Sequence, residues 1–119
     1  MDSVVLSEHV DLEHFDTLCN RTNARELIAL YNQVLTDSLS DIVNKTKSND
    51  FDSVNFIAHR IISGTKNLHF LIIINLLVDI ELYAKHSDSP SILKAVSSIK
   101  ESYDLIYPLL FQYMDDHEY

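Results

Sequence analysis

Six histidines are spread along this 119-residue chain, and one of them sits in a setting that could do chemistry. Around His59, the residues Val54, Ile57, Ala58, Ile61, Ile62 and Thr65 recur at the i, i+3, i+4, i+7 spacing of a buried helix face. Advancing about 100° per residue from that stripe puts Asp52, Asn55, His59, Ser63 and Lys66 together on the opposite, solvent-facing side. The helix therefore presents an imidazole to water. With an ordinary pKa of about 6.5, such a ring is neutral near pH 7 and keeps a lone pair available as a nucleophile. Arg60 and Lys66 could offset negative charge carried on the ring. Ser63, one turn further on, is small enough to let a partner approach.

Other kinds of chemistry find less support. His9, His14, His69, His86 and His117 fall on different segments, and no His-Glu-x-x-His or paired Glu-x-x-His pattern occurs, so no metal site is expected. A single glycine leaves no phosphate-cradling loop of the usual kinds, so no ATP site and no bound cofactor are expected. The one cysteine, Cys19, has no partner for an internal disulfide and reads as a free core thiol. Eighteen acidic residues against nine Lys and Arg give a formal charge of −9, a field that opposes binding to nucleic acid.

The elements that must hold His59 read as helices throughout, because one glycine and two prolines leave little material for the turns of an all-β fold. Asp11 caps a short helix to about Cys19, with Leu12, Phe15, Leu18 and Cys19 on one face. Asn23, with Glu26 three positions later, opens a long helix to about Lys45 whose apolar positions are Leu27, Ile28, Tyr31, Val34, Leu35, Leu39, Ile42 and Val43. The His59 helix follows, from about Phe51 to Lys66. The next segment, Phe70 to Ala84, is apolar almost all round between Leu71 and Val78, so it is either covered by several neighbours or exposes a greasy surface. Ser89 is expected to cap the last helix with Pro90 at its first position, and Pro108 to kink it. Four long amphipathic segments with short connectors predict an all-α, antiparallel up-and-down four-helix bundle with a short additional N-terminal helix. Residues 1–10 are expected as a tether or disordered start, 11–113 as the bundle, and 114–119 as a frayed tail. No secretory signal is evident, and the most apolar run, Leu68 to Val78, is shorter than the roughly 20 residues a membrane span needs.

The run Ala58-His59-Arg60-Ile61, with Leu68 nine positions after the histidine, resembles the histidine-containing phosphotransfer (HPt) family. That family's pattern is Ala-His, a basic residue, an aliphatic residue, often Lys, then Gly, with a further aliphatic residue nine positions after the histidine. Ile62 stands where Lys is common, and Ser63 takes the first-glycine place with Gly64 one step later. The resemblance implies that His59 accepts a phosphoryl group from the aspartate of one receiver domain and passes it to that of another. Arg60, Ser63 and Lys66 would support the phosphorylated ring, Phe56 and Asn55 would help dock the receiver, and the receiver would supply Mg²⁺. It further implies a monomer that suits the C-terminal module of a bacterial hybrid sensor histidine kinase, though a free-standing carrier would look the same; with no signal or span evident, a cytoplasmic chain is expected.

Two other readings compete. A histidine kinase dimerisation domain also exposes a histidine on a helix, but it typically places an acidic residue directly after it, where Arg60 stands. A helical adaptor without phosphotransfer would instead bind through the apolar segment from Leu71 to Val78.

Overall fold

A computed structural model of the chain describes residues 2–119, with side chains from residue 5 onward. Within them the protein is all-helical, with six helices: α1 (Asp2–His9), α2 (Leu12–Arg21), α3 (Ala24–Lys47), α4 (Phe51–Leu68), α5 (Leu71–Lys85) and α6 (Ser89–Asp116). Connectors of two or three residues join them. Such short connectors leave the four long helices little room except to turn back on one another. Accordingly α3 packs on α4, α4 on α5 and α5 on α6, and α6 closes back onto α3. The 28 residues of α6 span about 42 Å at the helical rise, close to the longest dimension of the molecule, 46 Å.

Helix starts follow the capping chemistry of the sequence. Asp11, Asn23, Asp50 and Asp88 each accept a hydrogen bond from the backbone N–H three residues on. Asp88, not Ser89, caps α6, which shifts Pro90 one position into the first turn; a carboxylate at the cap also suits the positive end of the helix dipole. The Ser53 and Ser91 hydrogen bonds hold the carboxyls of Asp50 and Asp88 below the usual range. With glycine available only at Gly64, the residues that end helices in the left-handed region are Asn49, His69, Ser87 and Glu118.

The interior is aliphatic, with Ile28, Leu35, Ile42, Val54, Ile73, Leu77, Ile80, Ile92, Ile99 and Ile106 among its buried side chains. An aromatic seam of Tyr31, Phe70 and Tyr103 runs through it. The Tyr31 hydroxyl lies 2.6 Å from Thr65 Oγ1, which itself donates to the Ile61 carbonyl at 2.8 Å. Burial pushes the Tyr31 phenol up to about 12.

Both chain ends differ from expectation. Residues 2–9, expected within a tether, form α1, which packs on α6 and α5. Leu6 and Val10, one turn apart, are buried, and His9 Nδ1 is hydrogen-bonded to Ser102 Oγ at 2.9 Å. An apolar stripe of two residues is too short for periodicity to reveal, and its partners come from α5, α6 and Phe70, far along the chain. The expected frayed tail is also ordered: α6 runs to Asp116 and Met114 is buried. A clasp of long-range bonds holds this end. The Tyr113 and Tyr119 hydroxyls both donate to Asp16 Oδ1, at 2.6 and 2.9 Å. Arg25 donates to the Tyr119 carbonyl at 3.0 Å and pairs with Asp115. Pro108 lies within α6, and the helix continues through it. No described helix is long and apolar enough to cross a membrane.

Candidate functional site

All six residues expected on the inner stripe of α4, from Val54 to Thr65, are buried. Since one helix has only one inner face, its other residues are fixed in direction: Asp52, Phe56, His59, Arg60, Ser63 and Lys66 are exposed. The His59 side chain is 79% accessible, and its Nδ1 lies 3.4 Å from Oε1 of Glu81 on α5. A proton on Nδ1 then faces a carboxylate, leaving the Nε2 lone pair free to attack. Sequence reasoning did not single out Glu81. It shares no local pattern with His59, and only the packing of α5 on α4 brings the two together.

The remaining expected residues divide. Phe56, one turn before His59, is 65% exposed, a large apolar ring left in water. The Arg60 guanidinium sits 5.8 Å from the centroid of that ring, so its charge is held over Phe56 by a cation–π contact. Ser63 is exposed and leaves the space beside His59 open. Lys66 is exposed seven residues beyond His59, about 10 Å along the helix. Asn55 differs: it is half-buried, with its Oδ1 shut from solvent and without a hydrogen-bond partner among the described residues. That oxygen is not offered to a docking partner.

Apolar surface continues onto α5, where Leu71, Val78 and Leu82 are exposed at helical spacing. The greasy segment thus buries Ile73, Leu77 and Ile80 and leaves its other side open. Glu81, the α5 residue that lies against His59, stands between Val78 and Leu82 in the sequence of this helix. On α3, Val34 and Leu30 are exposed although Val34 was expected in the core. The added Cβ of an alanine at Gly64 would meet Tyr31 Cδ2 at 3.9 Å, so this exposed glycine is not forced by close packing.

The one thiol is quiet. Burial and the nearby Asp16 push the Cys19 thiol up to about 11, so it stays protonated near neutral pH. A cavity of about 490 Å³ opens between α3 and α6, lined by Leu35, Leu39, Lys100, Tyr103 and Tyr107 among others; His59 is not part of it. The candidate chemistry lies on an open helix face, suited to a macromolecular partner more than to an enclosed small substrate.

Searches against protein-family models, curated proteins and solved structures find no match to this chain.

Proposed function

We propose that the chain is a histidine-containing phosphotransfer domain, with α3 to α6 forming an antiparallel up-and-down four-helix bundle and His59 as its phosphoacceptor. The observation that carries this reading is the exposed His59 ring on the outward face of α4, its Nδ1 turned to Glu81 and its surroundings open and apolar. The two- and three-residue connectors support the bundle, since they leave consecutive helices room only to turn back on one another.

In this mechanism Nε2 of His59 attacks the phosphorus of a receiver's aspartyl phosphate. An N–P bond forms as the P–O bond to the aspartate breaks, and the carboxylate leaves with the bonding pair. The ring acquires imidazolium character, which Glu81 offsets while Nδ1 keeps its proton. In the second transfer a carboxylate of another receiver attacks the same phosphorus, and the N–P bond breaks to return neutral His59. The receiver would hold the Mg²⁺ of this reaction, whose charge would offset that on the phosphoryl oxygens. Phe56, Val78 and Leu82 supply the apolar centre that a transient interface needs, and Ser63 the clearance. Arg60 and Lys66 add positive charge near the approach path. The partners in this reading are the receiver domains of a bacterial hybrid sensor kinase and of its response regulator. The protein then works in the cytoplasm as a monomer.

Incubation with a radiolabelled phosphorylated receiver tests the reading. Acid-labile, base-stable label on the wild-type chain and none on a folded His59→Gln variant is the expected result. Label that persists on His59→Gln would overturn the assignment of the nucleophile. A wild-type chain that takes no label from any of a panel of receivers would favour the helical adaptor.

A further inference from the structure

The α1–α2 corner meets the α4–α5 connector through the backbone. Val10 and Phe70 form an isolated antiparallel bridge and both are fully buried, while Asp11 N–H donates to the His69 carbonyl at 3.1 Å. His69 holds a left-handed φ of 56° there, a conformation unusual for a residue with a side chain. The outcome is that the side chain of His69 meets those of Asp11 and His14, more than fifty residues earlier in the chain. The His14 and His69 rings stack with centroids 4.1 Å apart, and His14 Nε2 lies 3.6 Å from Asp11 Oδ2. One ligand atom from each of Asp11, His14 and His69 falls within 4.8 Å of the other two.

The geometry points to a divalent transition-metal site formed by Asp11, His14 and His69, with zinc as the ion that fits it best. Two imidazoles and one carboxylate are donors of the borderline character that Zn²⁺ prefers over Mg²⁺ or Ca²⁺. Asp11 can serve without giving up its structural task, because Oδ1 caps α2 by accepting from His14 N–H while Oδ2 points to the cluster. Tetrahedral zinc wants donor atoms about 3.4 Å apart, given metal–ligand bonds of about 2.0–2.1 Å. Asp11 Oδ2 and His14 Nε2 already lie 3.6 Å apart, and side-chain rotation, for which the 59% exposed His14 has room, would close the rest of the 4.8 Å spread. Three protein ligands leave a fourth position for water or for a ligand from another molecule. The formal charge of −9 favours cation approach.

His69 lies ten residues after His59, about 15 Å along the helix, so this site is separate from the phosphotransfer face and does not rest on that reading. A bound ion would tie α2 to the end of α4. Its strength should therefore appear in binding and stability measurements, with no receiver present.

Titration of the full chain with zinc chloride, followed by calorimetry and by thermal unfolding, tests the site. One zinc per chain and a raised melting temperature are expected. His14→Ala, His69→Asn and Asp11→Asn should each weaken binding by about tenfold or more. Asn at 69 tolerates the left-handed backbone and Asn at 11 still caps, so these variants keep the fold. His59→Gln should bind as wild type. Visible absorption of the Co²⁺ form should change in His14→Ala. Undiminished affinity in both His14→Ala and His69→Asn, or no saturable one-to-one binding by the wild type, would overturn the proposal and mean an adventitious ion only.

Discussion

The outer face of α4 and the clasp at the C-terminal end solve opposite problems with similar side chains. At the clasp, Tyr113, Tyr119, Arg25 and Asp115 are paired across the chain, with Asp16 accepting two hydroxyls and Arg25 reaching both a carbonyl and a carboxylate. On α4, Phe56, His59 and Ser63 are left exposed, with Glu81 beside His59 and Arg60 over Phe56. A side chain satisfied within its own chain has little left to offer another molecule. One that stays exposed keeps its binding energy for an encounter. By this measure the clasp is structural and the α4 face is available for use.

Variants of the two regions should therefore separate transfer from stability. The largest effect is expected from Ser63→Gln, which puts a long side chain one turn from His59 and should block phosphoryl uptake while circular dichroism shows an intact helical fold. Ser63→Gly should transfer as wild type; if Ser63→Gln does too, receivers do not approach over this face. Phe56→Ala should slow transfer about tenfold, equivalent to roughly 1.4 kcal/mol of lost docking, with little change in melting temperature. At the clasp the pattern reverses. Asp16→Ala should cost about 1 kcal/mol of stability in denaturant titrations and leave transfer rates unchanged.

The same variant has a pH signature. The Tyr119 phenol is raised chiefly by its hydrogen bond to Asp16, that of Tyr113 chiefly by burial. A phenol raised in the folded state stabilises the fold below its ordinary pKa of about 10, and that stabilisation is lost as pH climbs toward the folded value. In Asp16→Ala, spectrophotometric titration should show Tyr119 ionising nearer its ordinary value while Tyr113 stays raised. The smallest effect is expected from Gly64→Ala. The methyl meets only Tyr31 at an ordinary contact distance, so helix propensity should add up to about 1 kcal/mol of stability with transfer intact.

What could be read from residues alone follows the range of the interactions. The inner stripe of α4 was legible in full because a helical period is a local property, and so were the Asp11 and Asn23 caps. The direction of His59 follows from that stripe. Glu81 was not legible, since its closeness to His59 depends on how α5 lies against α4. The same limit hid the clasp, whose bonds join residues such as Asp16 and Tyr113, and α1, whose Leu6 and Val10 need the α5 and α6 surface before burial is possible. Val34 shows the converse error. It fits the apolar period of α3 yet lies at the edge of the buried face, where a neighbouring helix covers Tyr31 and Leu35 and does not reach it.

The Tyr31–Thr65 hydrogen bond has a consequence for how α4 can roll about its own axis. An aliphatic stripe alone is a slippery seat, because Ile and Val side chains of similar size can trade places at small cost when a helix turns. A directional bond between two buried hydroxyls cannot follow such a turn. Rolling α4 by one residue, about 100°, would carry Thr65 away from α3 and strand the Tyr31 hydroxyl in an apolar interior, at about 1–3 kcal/mol. The buried pair thus works as a rotational stop, adding a directional bond between two residues that no approaching partner touches to the heading that the buried stripe already gives His59.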